Sequence, residues 1–338
     1  MSTRIGWYVH HHGRGHLTRL RAIAPRIDAE IDCFSSLPAP PDLPSSCRWT
    51  VLPRDDDASP GGPQPAEADP TVRGLLHWAP RGHAGHRDRL AAIAAASRSR
   101  PVDAFVVDVS VEVTLLVRLL GVPPVVFTQP GVRDDEPHRL GFAAAQTVVA
   151  PWPGDILAPP HLSALGDRVV YTGGISRFED RMTDGAPDRT DDVVLLAGAG
   201  GTAVTPGEIA AAAASTRRPW RALGAAAGSW QEDPWDAITT AGVVIAWAGQ
   251  NSIADLAAAG APAIVVPQER PFDEQQETGR ALRRAELAVV VPEWPDAASW
   301  PALLDRAATS RPSWEHWQVA GATRRAAEAI LQTARGER

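Results

Sequence analysis

Four histidines and two glycines fall within seven residues near the start of the chain, in the run His10-His11-His12-Gly13-Arg14-Gly15-His16. An apolar β-type run over 5–9 precedes them and a helical pattern follows, so they make the turn between a strand and a helix. Glycines in such a turn let backbone approach a ligand, and the free N–H groups of the helix start favour an anion. His16, at the helix start, is expected to face the cleft above a parallel sheet, where open α/β folds bind ligands. From there it can take a proton from a hydroxyl or from water. The third glycine of the dinucleotide fingerprint is absent. His10, His11 and His12 are read as structural or substrate-lining. Alternation at a strand end sends neighbours to opposite sides, so consecutive histidines converge poorly on a metal and no metal site is expected.

Two more glycine-rich turns follow strand-like runs. Gly198-Ala199-Gly200-Gly201-Thr202 comes after the run over 193–197, a weak signal alone but placed where a second nucleotide-binding unit would begin. Ala248-Gly249-Gln250-Asn251-Ser252 comes after the run over 243–247 and leads into a helix expected over 252–259. Asn251 or Ser252 can cap that helix, and its remaining N–H groups can hold a diphosphate. Asp255, one turn in, is open to two readings: the far end of a capping box with Ser252, or a carboxylate that accepts from a ribose diol. The loop over 267–276 carries Asp273, Gln275 and Gln276, acid and amide groups suited to sugar hydroxyls. Asp108, at the end of a strand over 104–107, is a candidate acid to orient His16, or else a solvated strand-end residue.

The elements that would position these groups alternate in type. Strand-like runs over 5–9, 32–34, 49–52, 104–107, 125–127 and 147–150 are separated by helical patterns, among them 86–98 and 110–120. After a polar stretch, runs over 193–197, 243–247, 263–266 and 288–291 alternate with helical patterns over 206–216, 252–259, 274–285 and 299–309, and a last helix is expected over 313–335. That order predicts parallel sheets with crossover helices. The fold class is α/β, with two Rossmann-like domains facing each other across a cleft. We expect an N-terminal domain over 1–178, a linker over 179–192, a C-terminal domain over 193–312 and a C-terminal helical segment over 313–338 that packs back on the first domain. Residues 54–85, rich in Asp, Gly and Pro, read as a long surface loop or irregular insertion.

Composition narrows the chemistry. All 33 basic residues are arginine, and the absence of lysine excludes Schiff-base chemistry and a P-loop. A net charge of −7 without a basic block argues against nucleic acid. No run approaches the roughly 20 apolar residues of a membrane span, and the start lacks the apolar core of a secretory signal. Two cysteines, Cys33 and Cys47, make no disulfide framework, so a cytoplasmic protein with at most peripheral membrane contact is expected. The 12 tryptophans are read mainly as core residues.

With these residues in view, the chain resembles the MurG-type glycosyltransferase family, which has the two-domain GT-B fold. The resemblance rests on Gly13-Arg14-Gly15-His16 and, more specifically, on the stretch from Gly249 to Gln276, including the run from Ala257 to Pro267. It implies a nucleotide-diphosphate sugar, expected to be UDP-linked, as co-substrate held by the C-terminal domain, with no cofactor. It also implies donor contacts at Gly198, Gly200, Gly201, Thr202, Gly249, Asn251, Ser252, Asp255, Asp273, Gln275 and Gln276. Arg177 falls where the family keeps an arginine near the diphosphate, and Asp255 stands for a ribose-binding Glu that is one methylene longer. Gly13, Gly15, His12 and His16 would face the acceptor. The turn with Arg19, Gly13-x-Gly15-His16-x-x-Arg19, also resembles that of PseG-type nucleotide-sugar hydrolases. The expected activity is metal-independent transfer of a sugar to an acceptor hydroxyl. A hydrolase or epimerase on the same fold, or a non-catalytic nucleotide- or carbohydrate-binding protein, are the alternatives.

Overall fold

The computed structural model describes residues 2–58, 64–183, 185, 188–198, 201–224 and 231–338. Its first half is a seven-stranded parallel sheet in the order β3-β2-β1-β4-β5-β6-β7. The strands are β1 (Arg4–Val9), β2 (Glu30–Ser35), β3 (Cys47–Val51), β4 (Ala104–Asp108), β5 (Pro124–Phe127), β6 (Thr147–Ala150) and β7 (Val169–Tyr171). The helices between them are α1 (Gly15–Ile23), α2 (Ala84–Ser99), α3 (Val111–Leu119), α4 (Glu136–Ala144) and the short α5 (Pro160–Ser163). The central strands read as unbroken apolar runs because helices cover both faces, as parallel sheets require. Strand order reverses at β1, which pairs with β2 on one side and β4 on the other. This opens a crevice at the strands' C-terminal ends, and there the turn 10–16 and Asp108 both lie.

A second parallel sheet, ordered β12-β11-β10-β8-β9, repeats the design. It comprises β8 (Val193–Ala197), β9 (Trp220–Gly224), β10 (Val243–Ala246), β11 (Ala263–Val265) and β12 (Val289–Val290). Its helices are α6 (Pro206–Ala214), α7 (Trp235–Thr240), α8 (Gln250–Ala258), α9 (Glu274–Arg284) and α10 (Trp300–Thr309). The α/β expectation with two Rossmann-like sheets holds. Strands β7 and β9 and helices α4 and α7 were not anticipated.

The last segment departs from the single helix expected over 313–335. A 3-10 turn, Trp314–Trp317, is followed by left-handed Gln318 and Gly321 before α11 (Ala322–Ala334) begins. The break lets Trp314 donate its indole N–H to the Ala261 carbonyl in the second half at 2.9 Å, while Ala326 and Ile330 of α11 join the core around Ile5, Trp7 and Val106 in the first. Trp7, Trp152 and Trp300 are fully buried. Cys33 and Cys47 are both free and buried. Within 54–83, the described residues hold one short 3-10 turn, Pro65–Glu67, and otherwise no regular element; α2 begins at Ala84. No described helix is long and apolar enough to cross a membrane.

Candidate active site

His16 and Asp108 are 92 residues apart in sequence, yet the pairing of Val9 with Asp108 at the ends of β1 and β4 places them side by side. His16 Nδ1 lies 2.9 Å from Asp108 Oδ1. Arg19, one turn further along α1, donates to the same carboxylate oxygen. Asp108 is completely buried. Burial pushes its carboxyl up, but Arg19 and His16 together outweigh that and hold it below the usual range, so it is an anion. With Nδ1 engaged by an anion, the imidazole keeps Nε2 for the cleft that His16 lines.

Across the cleft stands α8. Gly249, not Ser252, is its N-cap, three residues earlier than the capping-box reading expected, and no side chain caps it. A glycine there leaves the N–H groups of the first turn, Gln250 to Ser252, without intrahelical partners and aimed at the cleft. The starts of α1 and α8 are tied directly. Asn251 Nδ2 donates to the Gly15 carbonyl at 3.0 Å, and Arg19 Nη2 donates to Gln250 Oε1 at 3.0 Å.

Asp255 is buried and lines the cleft. Its carboxylate accepts from Ser176 Oγ at 2.7 Å and from Arg177 Nε at 3.2 Å. Burial raises its pKa to about 6 against the opposing pull of Arg177 and Ser176. Each oxygen thus has a protein partner, and Asp255 positions Arg177, whose Nη1 also donates to the Glu232 carbonyl at 2.8 Å.

Gln275 lines the cleft too; its Oε1 accepts from the backbone N–H of Ala248 at 3.1 Å and of Gln268 at 2.9 Å. One side chain thus braces both turns at the C-terminal edge of the second sheet and leaves its amide N–H groups for a ligand. Gly13, Gly15, Gly198, Gly201, Gly249, Asn251 and Ser252 all line the same cleft. Gly200 lies outside the described residues.

Asp108 sits buried behind His16, and four other expected site residues do not line the cleft. Thr202 is turned to Gln268, donating to its Oε1 at 2.8 Å. Gln276 falls on another face of α9, and Asp273 is exposed in a left-handed conformation before that helix. His12 leaves the cleft for a second pocket beneath the 54–86 segment, where its Nε2 meets Asp56 Oδ2 at 3.2 Å. There the expectation that consecutive histidines splay apart fails. Strand β1 ends at Val9, so alternation no longer governs His11 and His12, and both reach Asp56.

Three cleft residues were given no role in the site by the sequence. Arg19 stands at i+3 from His16 on one helix face, a spacing that places both beside Asp108. Gln250 holds Arg19 from the other half. Glu274 faces the cleft because left-handed Phe272 and Asp273 rotate the start of α9; Arg133 Nη2 lies 3.6 Å away, and burial raises the carboxyl's pKa. No sequence signal marked that kink.

The comparisons bear on this geometry. Residues 232–294, which include the start of α8, Asp255 and Gln275, match the model of the glycosyltransferase family 28 C-terminal domain. No curated protein sequence matches the chain. Among solved structures, the glycotransferase of kitacinnamycin superposes with a TM-score of 0.66 at 14% identity, covering 98% of this chain and 100% of that one. The calicheamicin glycosyltransferase CalG4 gives 0.61 at 16%, covering 99% and 95%. Arabidopsis thaliana UGT89C1, solved with UDP, gives 0.65 at 12%, covering 98% and 100%. The fold is GT-B. In this GT-B chain the cleft lies between the C-terminal edges of the two sheets, with a histidine–carboxylate pair on one wall and an uncapped helix N-terminus on the other.

Proposed function

We propose that the protein is a metal-independent glycosyltransferase that moves a sugar from a nucleotide-diphosphate sugar, UDP-linked, to an acceptor hydroxyl. The observation that carries this reading is His16, backed by buried Asp108, standing opposite the free N–H groups of α8. The family 28 match over 232–294 supports a donor site on that second wall. UGT89C1 has been solved in complex with UDP and with UDP-L-rhamnose, which supports UDP as the nucleotide.

In this mechanism residues 193–312 hold the donor and residues 1–178 the acceptor. His16 Nε2 takes the proton of the acceptor hydroxyl as its oxygen attacks the anomeric carbon. The bond from that carbon to the diphosphate oxygen breaks, and the departing charge is met by the α8 N-terminus and by Arg177. Asp108 stabilises the imidazolium that forms and keeps the ring's orientation, as in other histidine–carboxylate pairs. Base and leaving-group site face each other, which suits single displacement with inversion. The free buried thiols fit a reducing cytoplasm.

Thermal denaturation with a panel of nucleoside diphosphates, paired with an assay of UDP release, tests the proposal. UDP should raise Tm in both wild type and His16→Ala, and only the wild type should release UDP from its donor when acceptors are supplied. Release at the wild-type rate by His16→Ala, or no stabilisation by any nucleoside diphosphate, would overturn it. Release without acceptor would show that water is the acceptor and the enzyme a hydrolase.

A further inference from the structure

We propose that His11, His12 and Asp56, with Asp55 beside them, form a binding site for a divalent transition-metal ion of the zinc type. The site lies outside the cleft, in the second pocket, and stands independently of the proposed transfer reaction. His11 and His12 come from the turn after β1, and the two aspartates from the start of the 54–86 segment. The ligand atoms of His11, His12 and Asp56 all lie within 4.8 Å of one another.

The His11 separations suit a metal better than hydrogen bonds, and the His12–Asp56 pair is within reach of either. His11 Nε2 lies 3.5 Å from Asp56 Oδ2 and 3.8 Å from Asp55 Oδ1, and His12 Nε2 lies 3.2 Å from Asp56 Oδ2. Two ligands each ~2.1 Å from a tetrahedral zinc stand about 3.4 Å apart. The His11 side chain is 2% exposed, and neither of its ring nitrogens has a hydrogen-bond partner among the described residues. Asp56 Oδ1 is likewise buried without a partner. A buried imidazole aimed at two carboxylates yet bonded to neither is accounted for by an ion between them. Two imidazoles with carboxylates select zinc, cobalt or nickel over magnesium or calcium. Arg54 Nη2 donates to Asp56 Oδ2 at 2.6 Å and Arg89 Nη1 pairs with Asp55 Oδ1, so a guanidinium fixes the orientation of each carboxylate oxygen that faces the histidines.

A second histidine cluster shows the contrast. His77, Asp135 and His138 also bring their ligand atoms together. There, however, Arg133 Nη1 lies 3.0 Å from His138 Nε2. A guanidinium only donates, so Nε2 accepts, and Nδ1 must carry the proton it gives to Asp135. A protonated Nδ1 cannot ligate a metal, which leaves this trio a hydrogen-bonded relay.

The ion would clamp residues 55–57 onto the turn that carries His16. From that clamped segment the Asp55 carbonyl accepts the Trp78 indole N–H at 3.0 Å, and the Asp57 carbonyl meets His83 Nε2 at 2.7 Å. Residues 55–57 thus join the histidine turn to Trp78 and His83. The His10 ring, 5.6 Å from His16 by centroids, connects the pocket to the catalytic pair.

The test is titration of tag-free, chelator-treated protein with Co²⁺ and Zn²⁺, followed by the visible absorption of bound cobalt and by calorimetry. One equivalent should bind with a tetrahedral cobalt spectrum. His12→Gln, at a side chain 66% exposed whose loss leaves folding intact, should weaken binding at least about tenfold, as should Asp56→Asn, while His77→Gln binds as wild type. The proposal is overturned if the wild type binds neither ion, if both site variants bind like wild type, or if only His77→Gln loses the ion.

Discussion

The side-chain amide of Asn251 donates to the main-chain carbonyl of Gly15 at 3.0 Å, tying the first turn of α8 to the first turn of α1 across the cleft. With the bond from Arg19 to Gln250, it links the wall that carries His16 to the wall that carries the start of α8. Neither is deeply buried, so each contributes about 0.5–1.5 kcal/mol to docking of the two halves. In the double variant Gln250→Ala/Asn251→Ala, solution scattering should show a larger radius of gyration, and KM for the donor should rise several-fold. An unchanged scattering curve together with an unchanged KM would show that these links do not set the cleft width.

The His16–Asp108 pair makes separable demands on activity. His16→Ala removes the proposed base and should lower kcat by about 10²- to 10⁴-fold. Asp108→Asn keeps the shape but removes the anion that fixes the ring and stabilises imidazolium, and a loss of comparable order is expected. Nucleotide affinity should change little in His16→Ala, since that ring sits on the opposite wall. If Asp108→Asn leaves kcat and its pH profile intact, Asp108 serves only to anchor Arg19.

Much of this was legible in the sequence, for reasons that particular residues make clear. Buried parallel strands such as β4 and β10 are unbroken apolar runs followed by turn residues, so the two sheets could be anticipated. Strand β7 is only three residues and half-buried, β9 is interrupted by exposed Arg221, and α4 opens on Glu136-Pro137, so their patterns carry little signal. Within the site, His16 stood out because a glycine turn announced it. Its contact with Asp108 depends on which strands become neighbours, a tertiary choice that spacing does not encode. Glu274 and Gln275 face the cleft and Gln276 does not because the left-handed kink at Phe272 and Asp273, which no residue type there foretells, sets where α9 begins and so which of its faces meets the cleft.

Asp255 and His138 set opposite slopes of stability against pH in one window. Asp255, ordinarily 3.8, is raised by burial to about 6, so between those values the folded protein holds a proton that the unfolded chain has released. Its contribution to stability therefore falls as pH rises from about 4 to about 6. His138, ordinarily 6.5, is lowered to about 4 by burial and by Arg133, against Asp135. There the unfolded chain holds the extra proton, so the contribution rises with pH and is lost on acidification through the same range. The two offset in the wild type. Asp255→Asn removes the first alone, and its urea midpoint should fall more steeply than that of the wild type between about pH 6.5 and 4. Parallel curves would mean that Asp255 does not titrate there.

Gly131 supports the loop before α9 from the opposite half of the molecule. Its φ of +107° is a conformation that side chains rarely adopt, and a Cβ there would lie 2.1 Å from the Phe272 carbonyl oxygen. The same oxygen accepts the N–H of Val132 at 2.8 Å, so the first half holds the loop that enters α9 by backbone contact. Gly131→Ala must both strain its own backbone, at roughly 1–3 kcal/mol, and push that loop away. Because Glu274 and Gln275 follow directly, the displacement reaches the cleft, whereas the His16–Asp108 pair is held by β1 and β4 and stays in place. We therefore expect a KM for the donor raised by about tenfold or more, from a shift on the order of 1 Å in the groups that contact it. The kcat at saturating donor should change far less. Equal losses in kcat and kcat/KM would show instead that the 270–274 loop shapes the transition state rather than the donor site.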